Sequence, residues 1–294
     1  MKTKTIYARG FFDGVHRGHQ TLLSACRQLS AHLGCRPGAV TFAAHPGSLV
    51  TGQAPLLINT VEDRQALLSG FGMEDILVLP FDRQLMQMPW EDFLQMLLDR
   101  GAVGFICGDD FRFGYRGEGT AKTLEAFCRA RDLAWSVIPA QTLNGTRISS
   151  THIRGLLEMG DMEEAARFLG HPHTLSGPVI SGRGLGHTIG IPTANLALPQ
   201  GIVCPRLGVY ACKAVVDGKE YLAVTNVGSR PTVGGHHVTV EPWLLDFSGD
   251  LYGKHLRLSF HSFLRPEKKF PSLAELKAEI EKNGAETRKL LGKS

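Results

Sequence analysis

Between residues 4 and 140 the chain alternates two hydrophobic periodicities, and this alternation narrows the fold more than any other feature. Short β-branched or aromatic runs occur at 5–8, 39–42, 75–81, 102–107 and 134–138. Between them, segments 20–33, 61–71, 90–98 and 123–130 carry apolar residues three and four apart, the spacing of one helix face. The strand-like runs are apolar throughout rather than at every second position, so both of their faces are covered. That predicts a parallel sheet with helices on both sides, a doubly wound α/β domain. Such sheets bind ligands beyond the carboxyl ends of their strands, so the residues after each run are the candidate site.

After residue 140 the texture changes. Two further helices are predicted at 150–159, opened by a Ser-Ser-Thr cap, and at 162–169. From 176 to 263 the chain is rich in Gly, Pro, Val and Thr, with strand-like runs at 208–216, 221–227, 237–245 and 256–260. Asp217-Gly218 is a two-residue hairpin signal. An antiparallel β-barrel follows, with a final amphipathic helix over 272–291 turning Leu273, Leu276, Ile280 and Leu290 toward it. The boundary falls near Gly170-His171-Pro172, giving domains of 1–170 and 171–294.

Composition excludes several classes. With 43% hydrophobic and 20% charged residues and a formal charge of +4, the chain is neither disordered nor a polybasic nucleic-acid binder. No run approaches the ~18 apolar residues of a membrane span, and the N-terminus lacks the apolar core of a secretory signal. Six dispersed cysteines without a C-x-x-C pair read as reduced thiols, so a cytoplasmic location is expected, with no nucleic-acid or membrane partner. Nothing in the sequence sets an oligomeric state.

The first strand-like run ends in Gly10-Phe11-Phe12-Asp13-Gly14-Val15-His16-Arg17-Gly18-His19. The glycines let the backbone turn tightly and approach a ligand, and the helix that follows offers its N-terminal amides to an anion. His16 and His19, three apart on an opening helical turn, share a face and can donate to phosphate oxygens. Two distant segments reach the same sheet edge: Gly108-Asp109-Asp110-Phe111-Arg112-Phe113-Gly114, and Ile148-Ser149-Ser150-Thr151-His152-Ile153-Arg154. Alone, the one reads as a solvated turn and the other as a helix cap. With the paired histidines they form a phosphate-handling constellation, in which Arg154 could make charge-assisted hydrogen bonds.

In the barrel region, Gly182, Gly184, Gly186 and Gly190 crowd a loop that is either a phosphate wrap or a plain glycine-rich turn. It is no Walker loop, lacking G-K-[ST]. Thr193 and Asn195 in Pro192-Thr193-Ala194-Asn195 stand two apart, so in extended chain their oxygens share a face and suit a hard cation.

In this order the motifs resemble those of the bacterial bifunctional riboflavin kinase/FAD synthetases, across nearly the whole chain. The matching segments in the first domain are Phe12-Asp13-Gly14-Val15-His16-x-Gly18-His19, Thr41-Phe42-x-x-His45-Pro46, Gly108-x-Asp110-Phe111-x-Phe113-Gly114 and Ser149-Ser150-Thr151-x-Ile153-Arg154. The resemblance implies an adenylyltransferase that joins the AMP part of ATP to FMN. His16 and His19 would act catalytically, and Gly10, Phe12, Asp13, Gly14, Asp110, Ser150, Thr151 and Arg154 would bind ATP, with Phe111 on the flavin. In the second domain the matches are Gly190-Ile191-Pro192-Thr193-Ala194-Asn195, Asn226-Val227-Gly228 and Phe263-Leu264-Arg265-x-Glu267. They imply a riboflavin kinase, with Gly182, Gly184 and Gly186 on phosphate, Thr193 and Asn195 on Mg²⁺ with ATP, Arg265 and Glu267 on flavin, and Glu241 as general base. Substrates would be riboflavin, FMN and ATP. The chain departs from the family's common pattern at Phe11 (often Asn), His187 (often Arg), Trp243 (usually His) and Asn283 (commonly acidic).

Overall fold

The computed structural model describes residues 3–50, 54–180, 190–232 and 235–292. Its contacts group the chain into two compact units, one of Met1–Leu56 with Val61–Ser150, the other of Leu57–Thr60 with Thr151–Ser294.

The first unit is the expected parallel sheet, in the order β3-β2-β1-β4-β5. Its strands are β1 (Thr5–Arg9), β2 (Arg36–Phe42), β3 (Asp75–Leu79), β4 (Ala102–Gly108) and β5 (Ala134–Ile138). The helices are α1 (Arg17–Leu33), α2 (Gly47–Val50), α3 (Val61–Gly70), α4 (Arg83–Gln87), α5 (Trp90–Asp99) and α6 (Ala121–Arg129), and a short hairpin pairs β6 (Thr142–Leu143) with β7 (Thr146–Arg147). Strand alternation puts Ile6 and Ala8 into one core with Leu22, Leu23 and Cys26 of α1. Tyr7 goes to the opposite core with Leu94, Phe105, Phe113 and Phe127. Two helices escaped the sequence reading, α2 and α4, because four or five residues are too few to show a period.

Beyond Leu57–Thr60, the second unit takes in α7 (Ser150–Met159) from Thr151 onward and α8 (Met162–Leu169). Its sheet runs β8-β13-β10-β11-β12-β9, with neighbouring strands antiparallel. These are β8 (His173–Pro178), β9 (Leu196–Ala197), β10 (Gly208–Val216), β11 (Lys219–Thr232), β12 (Gly235–Leu244) and β13 (His255–Arg265). An antiparallel bridge between Val179 and Leu196 joins the two edges, so the sheet is a nearly closed barrel.

The last helix, α9 (Leu273–Leu291), sits where the sequence places it but turns a different face. Leu273 and Leu290 are 59% and 48% exposed, and the residues it buries are Asn283, Gly284 and Thr287. Leu276 and Ile280 line a cavity. The apolar stripe thus borders open space, and small or polar residues make the close contact because they let the helix axis approach the sheet.

Candidate active sites

In the first unit, the chain leaves β1 through backbone that side chains rarely adopt. Phe12 and Val15 have φ of 58° and 39°, and Gly14 has φ of 77°. For a β-branched residue such as Val15 this is an outlier, and strain of this kind, ~1–3 kcal/mol per residue, collects at functional sites. The turn is braced from several sides: Val15 N–H donates to Phe12 O at 3.1 Å, Gln20 Nε2 to Val15 O at 2.9 Å, and Ser150 Oγ to Asp13 O at 2.9 Å. It aims two histidines the same way. The rings of His16 and His19 stack with centroids 3.6 Å apart and 12° between planes, and His19 N–H donates to His16 Nδ1 at 3.3 Å, capping α1. Burial, then His16 and then Arg64, hold the His19 imidazolium well below its usual range, so it is neutral at pH 7 and can donate through a ring N–H.

Around these rings opens a cavity of about 240 Å³ whose walls include Gly10, Phe11, His16, His19, Asp110, Phe111 and Ser150. Asp110 is paired with Arg147 across its rim. Phe12, Asp13 and Gly14 are buried in the turn beneath it. Thr151 and Arg154 follow Ser150 on α7, and Arg154 Nη2 donates to Thr151 Oγ1 at 3.1 Å.

In the barrel, a cavity of about 350 Å³ is lined by Thr193, Asn226, Glu241, Trp243, Arg265, Glu267 and residues of α9. β11 and β12 set its floor: Asn226 faces Glu241 directly in the antiparallel register. Gly228 makes room for the flanking carboxylate, because a Cβ there would lie 2.6 Å from Glu267 Oε1 and 2.9 Å from Asn226 Nδ2. Arg265 is tied to α9, its Nε donating to Asn283 Oδ1 at 3.1 Å and lying 3.5 Å from Glu279 Oε1, while Lys268 reaches Glu279 Oε2 at 2.9 Å. A second cavity of about 400 Å³ shares Thr193 with the first and is bounded by Val179, Leu244, Asp250 and Tyr252. Asn195 lies two residues on, its carbonyl accepting from Ile180 N–H at 2.9 Å. Gly182, Gly184, Gly186 and His187 lie outside the described residues.

Residues 1–152 match the FAD synthetase family and residues 169–291 the riboflavin kinase family. A bifunctional riboflavin kinase/FMN adenylyltransferase of Listeria monocytogenes is 32% identical over 98% of this chain and 93% of its own. Its counterpart in Escherichia coli K12 is 36% identical over 96% of this chain and 91% of its own. The chain belongs to the bifunctional riboflavin kinase/FMN adenylyltransferase family. A crystal structure from Streptococcus pneumoniae, titled as a macrolide-efflux protein, is 28% identical, covers 98% of this chain and 95% of its own, and superposes with a TM-score of 0.87. No helix among the described residues is long and apolar enough to cross a membrane.

Within the family frame, the structure adds residues that motif reading passed over. Arg64 of α3 is fully buried and donates from Nη1 to Phe11 O at 2.9 Å and from Nη2 to Phe42 O at 2.8 Å. Its Cζ lies 4.4 Å from the Phe11 ring, which also packs edge-on against His45 at 4.9 Å, and Thr41 Oγ1 donates to Phe11 O at 2.8 Å. The second signature, Thr41 to His45, therefore braces the first. An arginine inside an otherwise ordinary helix gives no sequence signal of this. Asn283, noted in the sequence only as a departure, is 2% exposed and accepts a hydrogen bond from Arg265.

Proposed function

We propose that the two cavities carry out the family's two reactions in turn, riboflavin to FMN on the barrel and FMN to FAD in the first domain. The division runs at Gly170, with 1–170 serving transfer and 171–294 serving the kinase. What carries this reading is that each cavity independently collects its own signature side chains, His16, His19, Asp110 and Ser150 in one, Thr193, Asn226 and Glu241 in the other.

In the kinase reaction the riboflavin 5′-hydroxyl oxygen attacks the γ-phosphorus of ATP, Glu241 takes the hydroxyl proton, and the bond to the bridging oxygen breaks to release ADP. Arg265 and Glu267 border the flavin. Thr193, shared by the two barrel cavities, marks where the hydroxyl and the phosphate meet. Thr193 and Asn195 offer neutral oxygen donors, a set that fits Mg²⁺ held jointly with phosphate oxygens. When bound, the ion neutralises phosphate charge; alignment and proton removal fall to the protein. Gly182, Gly184 and Gly186 are assigned to phosphate on the motif alone.

In the transfer reaction an FMN phosphate oxygen attacks the α-phosphorus of ATP and pyrophosphate leaves. The nucleophile is already an anion and needs no base. His16 and His19, the latter neutral, donate N–H groups to the charge building on the phosphates. Gly10, Phe12, Asp13, Gly14, Asp110, Ser150, Thr151 and Arg154 bind the nucleotide, and Phe111 the flavin. Dispersed cysteines without a C-x-x-C pair support a cytoplasmic location.

The test is to separate the activities. His19→Ala should lower FAD formation from FMN by about 10²-fold or more with riboflavin phosphorylation intact, and Glu241→Gln should do the reverse. Loss of both activities in either variant would contradict independent sites.

A further inference from the structure

β1 reads Thr-Ile-Tyr-Ala-Arg and is buried along its whole length, yet it ends in a cation. Arg9 is 1% exposed, and its Nε, Nη1 and Nη2 make no hydrogen bond among the described residues. Three phenylalanines surround it, with Phe113, Phe105 and Phe111 ring centroids 4.2, 5.3 and 5.4 Å from Cζ. The ionisable groups that act on it are the thiols of Cys107 and Cys128, and burial pushes both thiols up, so neither is an anion at pH 7. Asp110, on the same cavity wall, is paired with Arg147 instead. A buried guanidinium with no carboxylate and no oxygen acceptor, and only the weakly accepting thiol of Cys107 beside it, is destabilising, and an unsatisfied polar group at a cavity calls for a ligand that completes it.

We propose that Arg9 binds the flavin in the transfer reaction, donating its two-pronged N–H pair to the acceptor edge of the isoalloxazine ring. This rests on reading the surrounding cavity as the adenylyl-transfer site. Arg9 lines that cavity together with His16, His19 and Phe111. On β1 it falls on the Tyr7 side of the sheet, opposite the Ile6 and Ala8 side covered by α1, whose first turn carries the histidines. The part of the substrate at Arg9 is therefore not the phosphate at His16 and His19. Three phenyl rings favour a flat, aromatic group. Arginine only donates, so that group must present adjacent acceptors: isoalloxazine offers them at N1 with the C2 carbonyl and at N5 with the C4 carbonyl, whereas adenine sets an amino group beside its N1. Phe111, half-buried and stacked on Phe113 at 5.9 Å, is the side of the cage that reaches the surface, and entry of the ring displaces it.

The experiment compares the full-length protein with Arg9→Met and Arg9→Lys. Removing the unpaired charge should leave the melting temperature equal or higher, while KM for FMN rises about tenfold or more and KM for ATP and riboflavin phosphorylation do not change. Arg9→Lys, which keeps the charge but not the planar fork, should leave KM for FMN raised. An unchanged KM for FMN, a rise in KM for ATP in its place, full recovery by lysine, or a fall in melting temperature with uniform loss of FAD formation would each overturn the proposal. The underlying site reading fails separately, if His19→Ala leaves FAD formation intact.

Discussion

Gly284 of α9 lies directly against the indole of Trp243: a Cβ there would sit 2.9 Å from Trp243 Cζ3 and 3.3 Å from Cη2. Trp243 shares the barrel cavity with Glu241, two residues away on the same face of β12. The tryptophan that departs from the family's common histidine is thus accommodated by a glycine on the opposite wall.

Gly284→Ala should therefore act against helix propensity. An alanine in mid-helix ordinarily stabilises by ~1 kcal/mol, but here the added methyl pushes the indole into the cavity, an overpacking that costs ~1–3 kcal/mol. KM for riboflavin rises, and adding Trp243→Leu restores it. Steady-state kinetics on the two single variants and the double variant measure this coupling. An additive double variant would mean that the pair does not shape the cavity.

Gly228→Ala should reduce riboflavin phosphorylation about tenfold or more, because its Cβ would take the space of Glu267 Oε1 and Asn226 Nδ2. FAD formation from FMN, measured on the same preparation, stays at the level of the parent protein.

Arg64→Ala removes both donors, one to the Phe11 carbonyl beside the strained turn and one to the Phe42 carbonyl at the end of β2. The buried Phe42 carbonyl loses its charged donor while Phe11 O keeps Thr41 Oγ1, so the first unit loses ~1–3 kcal/mol of stability and FAD formation falls with it. Thermal melting and FMN adenylylation check both, with riboflavin phosphorylation as the unaffected reference.

His173 predicts a pH dependence. It is buried in β8, its ring nitrogens make no hydrogen bond among the described residues, and burial lowers its pKa to about 3. The unfolded chain takes up a proton near pH 6.5 that the folded chain refuses, so stability is lost as the pH falls below 6.5. Between pH 7 and pH 5 this amounts to ~2 kcal/mol. His173→Leu should flatten that slope in melting curves recorded at the two pH values, and a slope equal to the parent's would exclude His173 as its source.

Much of this architecture was legible in the residues. Apolar runs without alternation specified a parallel, doubly covered sheet, and the helices at Ser150–Met159 and Met162–Leu169 follow their predicted bounds. The rings of His16 and His19 share a face, as a spacing of three requires. The face of α9 was not legible: amphipathicity nominated its leucines, but Asn283, Gly284 and Thr287 make the buried contact. A hydrophobic pattern records which residues avoid water, and a cavity lined by α9 satisfies that pattern as well as a core does.

What the sequence determined by itself was local: periodicity, capping, turn glycines, and the identity of side chains able to take a proton or meet a phosphate. Only tertiary structure decided which of these meet. It brought Arg64, 53 residues along the chain, to the carbonyl of Phe11. It also paired Asn226 with Glu241 across a strand register and enclosed Arg9 among rings from β4 and the loop that follows it. These are relations between segments distant in sequence, fixed by packing, and no residue's own neighbours along the chain encode them.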